Sequence, residues 1–376
     1  MFDFNRIKGV LTILIVQAVV SITFILPAYY SACAQQNDSI SDEMVLKIHQ
    51  KWAVVPLAAY GSDTGAILGV SLFYFPSPSI DDIRNSSLDI ILFGTTKGQF
   101  LITLGPDLYL DRGSYRLNPQ LFGSYWTASY YGIGNDLPDD PEDYDSKNIG
   151  FRLSLDRLFQ NGFTLGPILN VRWSKIEPKP GGKMEADAPY GIVSDFYSGA
   201  GLAAGYDSRD NTNAPHMGNL IRYEYLNYLT DLGSDLDFRI HDVDLRHYFP
   251  TSERTTFAVS GKLRISRGRI PIRFLSKPDG IKILRGTESG RSLDRDLVAL
   301  QSEFRYPITN KFSGTVFAEI AQVAPDLTDF RIKQFTSSIG AGLRYSLHQE
   351  QRLNFRIDLS WVDDKIGIVA NVREAF

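Results

Sequence analysis

From about residue 52 onward, apolar and polar side chains alternate with a period of two. Leu353, Phe355, Ile357, Leu359 and Trp361 take every second position, and Arg352, Asn354, Arg356, Asp358 and Ser360 lie between them. In an extended strand those two sets face opposite sides of the sheet. The same holds for Val298, Leu300, Phe304 and Tyr306 against Gln301, Glu303 and Arg305. Phe151, Leu153 and Leu155 oppose Arg152, Ser154 and Asp156, and Phe257, Val259, Leu263 and Ile265 oppose Ser260, Lys262, Arg264 and Ser266. Hardly any stretch carries a helical period. The pattern predicts sixteen strands, at 52–60, 64–76, 87–95, 98–110, 115–127, 147–158, 163–176 and 194–207, then 218–230, 236–249, 254–267, 296–307, 311–323, 334–347, 351–361 and 366–376.

A soluble sandwich also alternates, but two features favour apolar faces turned to lipid around a polar lumen. Many of these strands are longer than the usual globular strand of about 5–6 residues and match the roughly 9–11 tilted residues that cross a bilayer. Backbone polar groups in lipid must all be paired, which for a sheet means a closed barrel. Aromatic residues near strand ends, at Phe73-Tyr74-Phe75, Tyr125-Trp126, Tyr223, Tyr225 and Trp361, fit interfacial girdles. With the N-terminus on the periplasmic side, the long connections 128–146, 177–193 and 268–295 all fall outside. Most inner connections are short, and 208–217 is the longest of them. The expected fold is therefore an all-β, transmembrane, 16-stranded antiparallel β-barrel.

Composition narrows the function. The one long apolar run, Val10–Leu26, follows Arg6 and Lys8 and precedes Ala32-Cys33-Ala34, the layout of a secretory signal peptide. We expect a signal peptide at 1–34, a short periplasmic extension at 35–51 and an outer-membrane barrel at 52–376. Cleavage after Ala34 removes Cys33, the one cysteine, and with it any thiolate metal site. The net charge of −4 gives no support for nucleic-acid binding. Five histidines, none close together in sequence, show no metal-ligand spacing and no nucleophile–base motif, so neither a cofactor nor catalysis is expected. The run Asp136–Asp145 holds six acids without an EF-hand spacing and reads as a solvated loop.

Three stretches resemble the BamA/TamA outer-membrane family, the bacterial surface antigen barrels. Tyr206-Asp207-Ser208-Arg209-Asp210-Asn211, with Pro215 and Gly218, is similar to the family's turn between strands eight and nine. Ile283-Leu284-Arg285-Gly286, with Gly290-Arg291 and Arg295-Asp296, resembles the arginine–glycine motif of its sixth extracellular loop. Gln301, Glu303, Arg305 and Pro307, then Phe317-Ala318-Glu319 and Val323, resemble its strands twelve and thirteen. Tyr131-Gly132-Ile133-Gly134-Asn135 and Phe376 add weaker matches. The family's usual aromatic after Arg-Gly is here Thr287.

The resemblance implies a sixth loop folded into the lumen, with Arg285 meeting Glu303, Glu319 or both. It also implies a periplasmic turn tied by Asp207, Arg209, Asp210 and Asn211, and a Phe376 presented to the barrel-assembly machinery during biogenesis. The segment ahead of the first strand leaves no room for a POTRA module, so a short member lacking POTRA domains is expected. The implied work is passage or insertion of polypeptide or lipid at the outer membrane, with outer-membrane lipid as surroundings and a separate periplasmic partner as a candidate. The seam between strands 52–60 and 366–376, with Pro56 and Gly367 near it, is the expected weak point. The alternative is a passive diffusion pore.

Overall fold

A computed structural model describes residues 51–61, 65–76, 84, 86–135 and 137–376. The expected signal peptide and all of the extension except Lys51 lie outside the described residues. The strands are β1 (Trp52–Gly61), β2 (Gly65–Tyr74), β3 (Ser87–Thr95), β4 (Phe100–Leu110), β5 (Tyr115–Tyr130) and β6 (Glu142–Leu158). Next come β7 (Phe163–Glu177), β8 (Val193–Asp207), β9 (Gly218–Tyr228), β10 (Phe238–Pro250) and β11 (Thr256–Gly268). β12 (Asp296–Pro307), β13 (Phe312–Ala324), β14 (Thr336–His348), β15 (Leu353–Val362) and β16 (Lys365–Val372) complete the sheet. One short helix, α1 (Lys183–Asp187), lies between β7 and β8.

All sixteen strands form one antiparallel meander in chain order, each paired with its sequence neighbour. The connections after odd strands include 131–141 (L3), 178–192 (L4) and 269–295 (L6), and they define a loop end. The opposite end carries the turns.

Side-chain exposure is inverted relative to a water-soluble core. Leu202, Ile149 and Leu359 are 58%, 61% and 53% exposed, whereas Asp156, Asp296, Glu303, Arg344, Arg356 and Asp358 are buried. Apolar residues face outward along the strands and charged residues face in, so the molecule is a transmembrane barrel around a polar lumen.

Two boundaries differ from the sequence pattern by four residues or more. β6 begins at Glu142, five residues earlier than the alternation predicts. The acids there are strand residues whose oxygens accept from hydroxyls on β5: Tyr125 and Thr127 donate to Asp145 at 2.9 and 2.8 Å, and Ser129 to Asp143 at 3.1 Å. At the other end β16 stops at Val372. Arg373 adopts a left-handed backbone with φ of 72°, and the chain turns off the sheet.

The first and last strands meet through side chains. Among the described residues the ladder shows no β1–β16 pair. Instead, Ala53, Val55, Phe73, Phe75 and Leu353 form one cluster, with Leu57, Leu347, Phe355 and Val372 packed against it. Phe73 is in register with Asp89, a lumen-lining residue, so it faces inward. Phe355 pairs with Tyr345 and Val372 on the outward face. The β1–β2 hairpin therefore laps over the outside of the β15–β16 hairpin at the turn end. Arg373, 5.5 Å from the Phe73 ring centroid, holds its guanidinium 2.6 Å from Asp89 beneath the lap.

Candidate functional site

L6 leaves the rim and runs back into the lumen, as the resemblance implied. Gly286 at its tip has φ of +89°, and a Cβ there would lie 2.1 Å from Ser360 Oγ and 2.9 Å from Gly367 Cα. Only glycine fits both that backbone and that approach.

Arg285, beside it, is fully buried. Its Nε donates to Glu319 Oε1 at 2.7 Å and its backbone N–H to Glu319 Oε2 at 2.6 Å. Nη1 lies 2.9 Å from Glu303 Oε2 and 3.1 Å from Asp358 Oδ2. The guanidinium sits 3.4 Å from the Phe317 ring centroid, and the Arg285 carbonyl accepts from Ser338 Oγ at 2.8 Å. The sequence pointed to Glu303 and Glu319, and the structure brings both to Arg285.

Asp358 was missed, and so was the rest of the cluster. Arg344 Nη1 donates to Asp358 Oδ1 at 2.5 Å and its Nε to Glu374 Oε2 at 3.0 Å. Arg356 pairs with Asp358 and donates to the Ile281 carbonyl of L6 at 2.7 Å. Arg305 Nε donates to Glu303 Oε1 at 2.7 Å. Four guanidiniums thus face four carboxylates, from β12, β13, β14, β15, L6 and the segment after β16. A buried charge is tolerable only when paired and hydrogen-bonded, and this set is close to self-neutralising. The parity of Arg356 and Asp358 on β15 placed both on the lumen side; it could not show their level against L6.

L6 then follows the last hairpin outward. Thr287 Oγ1 donates to Asp363 at 3.3 Å, and Lys365 Nζ reaches Glu288 at 3.2 Å and Asp139 of L3 at 3.0 Å. Tyr131 donates to Glu288 at 2.5 Å and Arg291 lies 5.1 Å from the Tyr131 ring centroid. Burial and that bond to a carboxylate both push the Tyr131 hydroxyl pKa up. Asn135 exchanges two hydrogen bonds with the Val323 backbone, and Gly134 bridges to Leu293. A Cβ on Gly290 would come within 2.8 Å of the Ser129 carbonyl. Tyr131–Asn135 thus lies across L6 at the loop end.

The turn 208–217 does the corresponding work at the other end. Asp207 accepts from Arg209 Nε and Nη2 at 3.0 and 2.9 Å and from Arg84 at 2.5 Å. Asn211 Oδ1 accepts from the backbone N–H groups of Asn213 and Ala214 at 2.8 and 2.9 Å, an Asx-type turn. Gly218 has φ of +104°, and a Cβ there would lie 2.2 Å from the Ser208 carbonyl. The turn also reaches the opposite wall. Asn213 Nδ2 donates to the Gln351 carbonyl at 2.8 Å, Arg352 Nη1 to Asp210 at 2.5 Å, Arg373 Nε to Asn213 at 2.9 Å, and Arg305 Nη1 to the Pro215 carbonyl at 3.4 Å. Burial raises the Asp210 pKa, but Arg352 and the His216 and Met217 N–H groups outweigh it and hold the carboxyl below its ordinary value.

Phe376 is not on the outward face of β16. It is buried with Tyr248, Ala258 and Ala375 against β10 and β11, and its carbonyl accepts from Arg305 Nη2 at 3.1 Å. Between L6 and the 208–217 turn lies a polar cavity of about 990 Å³, whose lining includes Asp107, Arg116, Glu224 and Lys282.

Residues 103–362 match the Omp85 superfamily domain. The chain belongs to the Omp85 superfamily. Among solved structures this Omp85 barrel is similar to BamA from Haemophilus ducreyi lacking POTRA domains 1–3, with a TM-score of 0.56 and 14% identity over 86% of this chain and 69% of that one. It is similar to CdiB from Acinetobacter baumannii at the same TM-score of 0.56 with 12% identity, covering 86% of this chain. The chain spans 59% of the length of that CdiB structure. At such identities the likeness concerns the fold. No curated protein matches the chain.

Proposed function

We propose that this Omp85 barrel resides in the bacterial outer membrane and passes or inserts polypeptide or lipid there by parting its lapped seam, without catalysis of its own. One observation carries the reading: the L6 tip is bonded along the loop-end part of the hairpin that forms one side of the seam. Arg285 meets Asp358, Gly286 packs on Ser360 and Gly367, Thr287 meets Asp363 and Glu288 meets Lys365. L6 movement and seam geometry are therefore mechanically joined. Among the described residues the seam rests on side-chain packing and the Arg373–Asp89 ion pair, with no β1–β16 ladder, so it is the joint with least backbone hydrogen bonding to break. Assembly machinery would act on it during biogenesis, and a separate periplasmic protein is the partner this reading calls for.

The test bridges Asp89→Cys and Arg373→Cys with a bifunctional thiol reagent in purified barrel reconstituted into liposomes. Phospholipid transbilayer movement and insertion of an unfolded outer-membrane strand hairpin are then followed. The reading expects both activities present in unbridged protein and at least one lost on bridging. Activity unaffected by bridging, or large steady conductance in planar bilayers, would favour the diffusion pore instead.

A further inference from the structure

Away from the L6 lock, the loop-end half of the lumen wall carries positive charge that the fold does not neutralise. Arg172 of β7 has its guanidinium 4.6 Å from the Phe122 ring centroid and 5.1 Å from that of Phe274. With rings near its faces, its polar reach is confined to the in-plane N–H edges. Its Nε is buried without a partner, and no carboxylate pairs with it among the described residues.

Arg273, next to Phe274 at the root of L6, donates through Nε to Ser174 Oγ at 2.7 Å. Ser174 stands two residues along β7 from Arg172, on the same face. Arg273 has no carboxylate among the described residues either. Arg264 of β11 approaches the Phe274 carbonyl at 3.4 Å and Asp242 at 3.5 Å, and its Nε is likewise buried and partnerless. Asp242 is already held by Lys262 at 2.6 Å.

Three guanidiniums thus converge on the single turn Ile272–Phe274, and among the described residues their one carboxylate is Asp242, which approaches Arg264 alone and is shared with Lys262, while cations elsewhere in the lumen, such as Arg116, Arg246 and Arg285, hold carboxylates of their own. Leaving guanidiniums underpaired in a partly dry site is costly unless something completes them. Planar, forked N–H donors match the oxygens of phosphate in geometry and charge.

We propose that Arg172, Arg264 and Arg273 form a seat for a phosphate-type oxyanion. Bound there, the anion ties the root of L6 to β7 and β11. The oxyanion is either free phosphate or the phosphate of a lipid headgroup. This inference does not depend on the seam.

The experiment is calorimetric titration of the full purified chain in detergent, with inorganic phosphate in one arm and dihexanoyl phosphatidic acid below its micelle concentration in the other. Saturable binding is expected, weakened about tenfold or more in Arg172→Gln and in Arg273→Gln, as loss of a charge-assisted pair implies. Comparable affinity in both arms identifies free phosphate, and binding of the phosphatidic acid alone identifies the headgroup. Arg273→Gln changes a loop residue whose polar contact is Ser174, so it keeps the test readable if Arg172→Gln does not fold. Saturation in neither arm, or wild-type affinity in the variants that fold, would overturn the proposal.

Discussion

Arg285 at the tip of L6 and Asp358 on β15 meet at 3.1 Å in the interior of the barrel. That contact joins the inward loop to the hairpin that borders the seam, and it adds a third carboxylate to Glu303 and Glu319 around one guanidinium. Arg285→Ala would leave three acids facing one another with Arg305, Arg344 and Arg356 as their remaining cations. Removing one partner from a buried pair costs about 3–5 kcal/mol. We expect the unfolding midpoint in detergent to fall accordingly and trypsin to gain access to Arg291 and Arg295. Arg285→Lys keeps the charge but loses the fork, and should fall between. A midpoint for Arg285→Ala equal to wild type would refute the assignment.

Gly286→Ala tests the same seat without touching charge. The added methyl meets Ser360 Oγ and Gly367 Cα, on a backbone with φ of +89°. L6 should be displaced and become protease-sensitive, as in Arg285→Ala. Adding Ser360→Ala should restore only part of the protection, because the left-handed strain and the Gly367 backbone remain. Full restoration would show that Ser360 alone sets the constraint.

How much of this could be read from the residues depends on range. Strand number and facing were legible because a period of two is local, and the inverted exposure of Ile149, Leu202 and Leu359 follows from it directly. Arg285 with Glu303 and Glu319 came from a resemblance, and Asp358, Arg344 and Arg356 did not come at all. Alternation tells which side a residue faces; strand tilt and stagger, which no local pattern carries, decide which residues share a level. The early start of β6 was hidden because Glu142, Asp143 and Asp145 look like loop acids until Tyr125, Thr127 and Ser129 of β5 stand opposite. The departure of 373–376 from the sheet had one local sign, Glu374 interrupting the apolar face. The reason for it, a bond from Arg344 to that carboxylate, is long-range.

At the seam, Arg373 and Asp89 are partly exposed to lumen water, with side-chain exposures of 36% and 16%. Their ion pair therefore contributes about 1 kcal/mol or less. Arg373→Glu should loosen the lap, seen as increased labelling of Val55→Cys by a water-soluble maleimide, since Val55 is only 5% exposed in the intact cluster. Adding Asp89→Lys re-forms an opposite-charge pair and should bring labelling back toward wild type. Unchanged labelling in Arg373→Glu would mean that apolar packing alone holds the seam.

The turn across the other mouth has a pH dependence whose sign follows from Asp210. Its folded pKa lies below the ordinary value because Arg352 and two backbone N–H groups favour the carboxylate over the cost of burial. A depressed folded pKa means the unfolded chain takes up the proton first. The contribution is therefore complete above the unfolded pKa of about 3.9 and is lost as pH falls from there through the lower folded value. Because Arg352 is 47% exposed, the Arg352–Asp210 pair itself is worth no more than about 1 kcal/mol. Asp210→Asn should abolish this component: wild type and variant should differ in unfolding midpoint at pH 7 and converge as pH falls from the unfolded pKa of about 3.9 through the lower folded value. A gap that persists undiminished at low pH would show that Asp210 acts by shape rather than by charge.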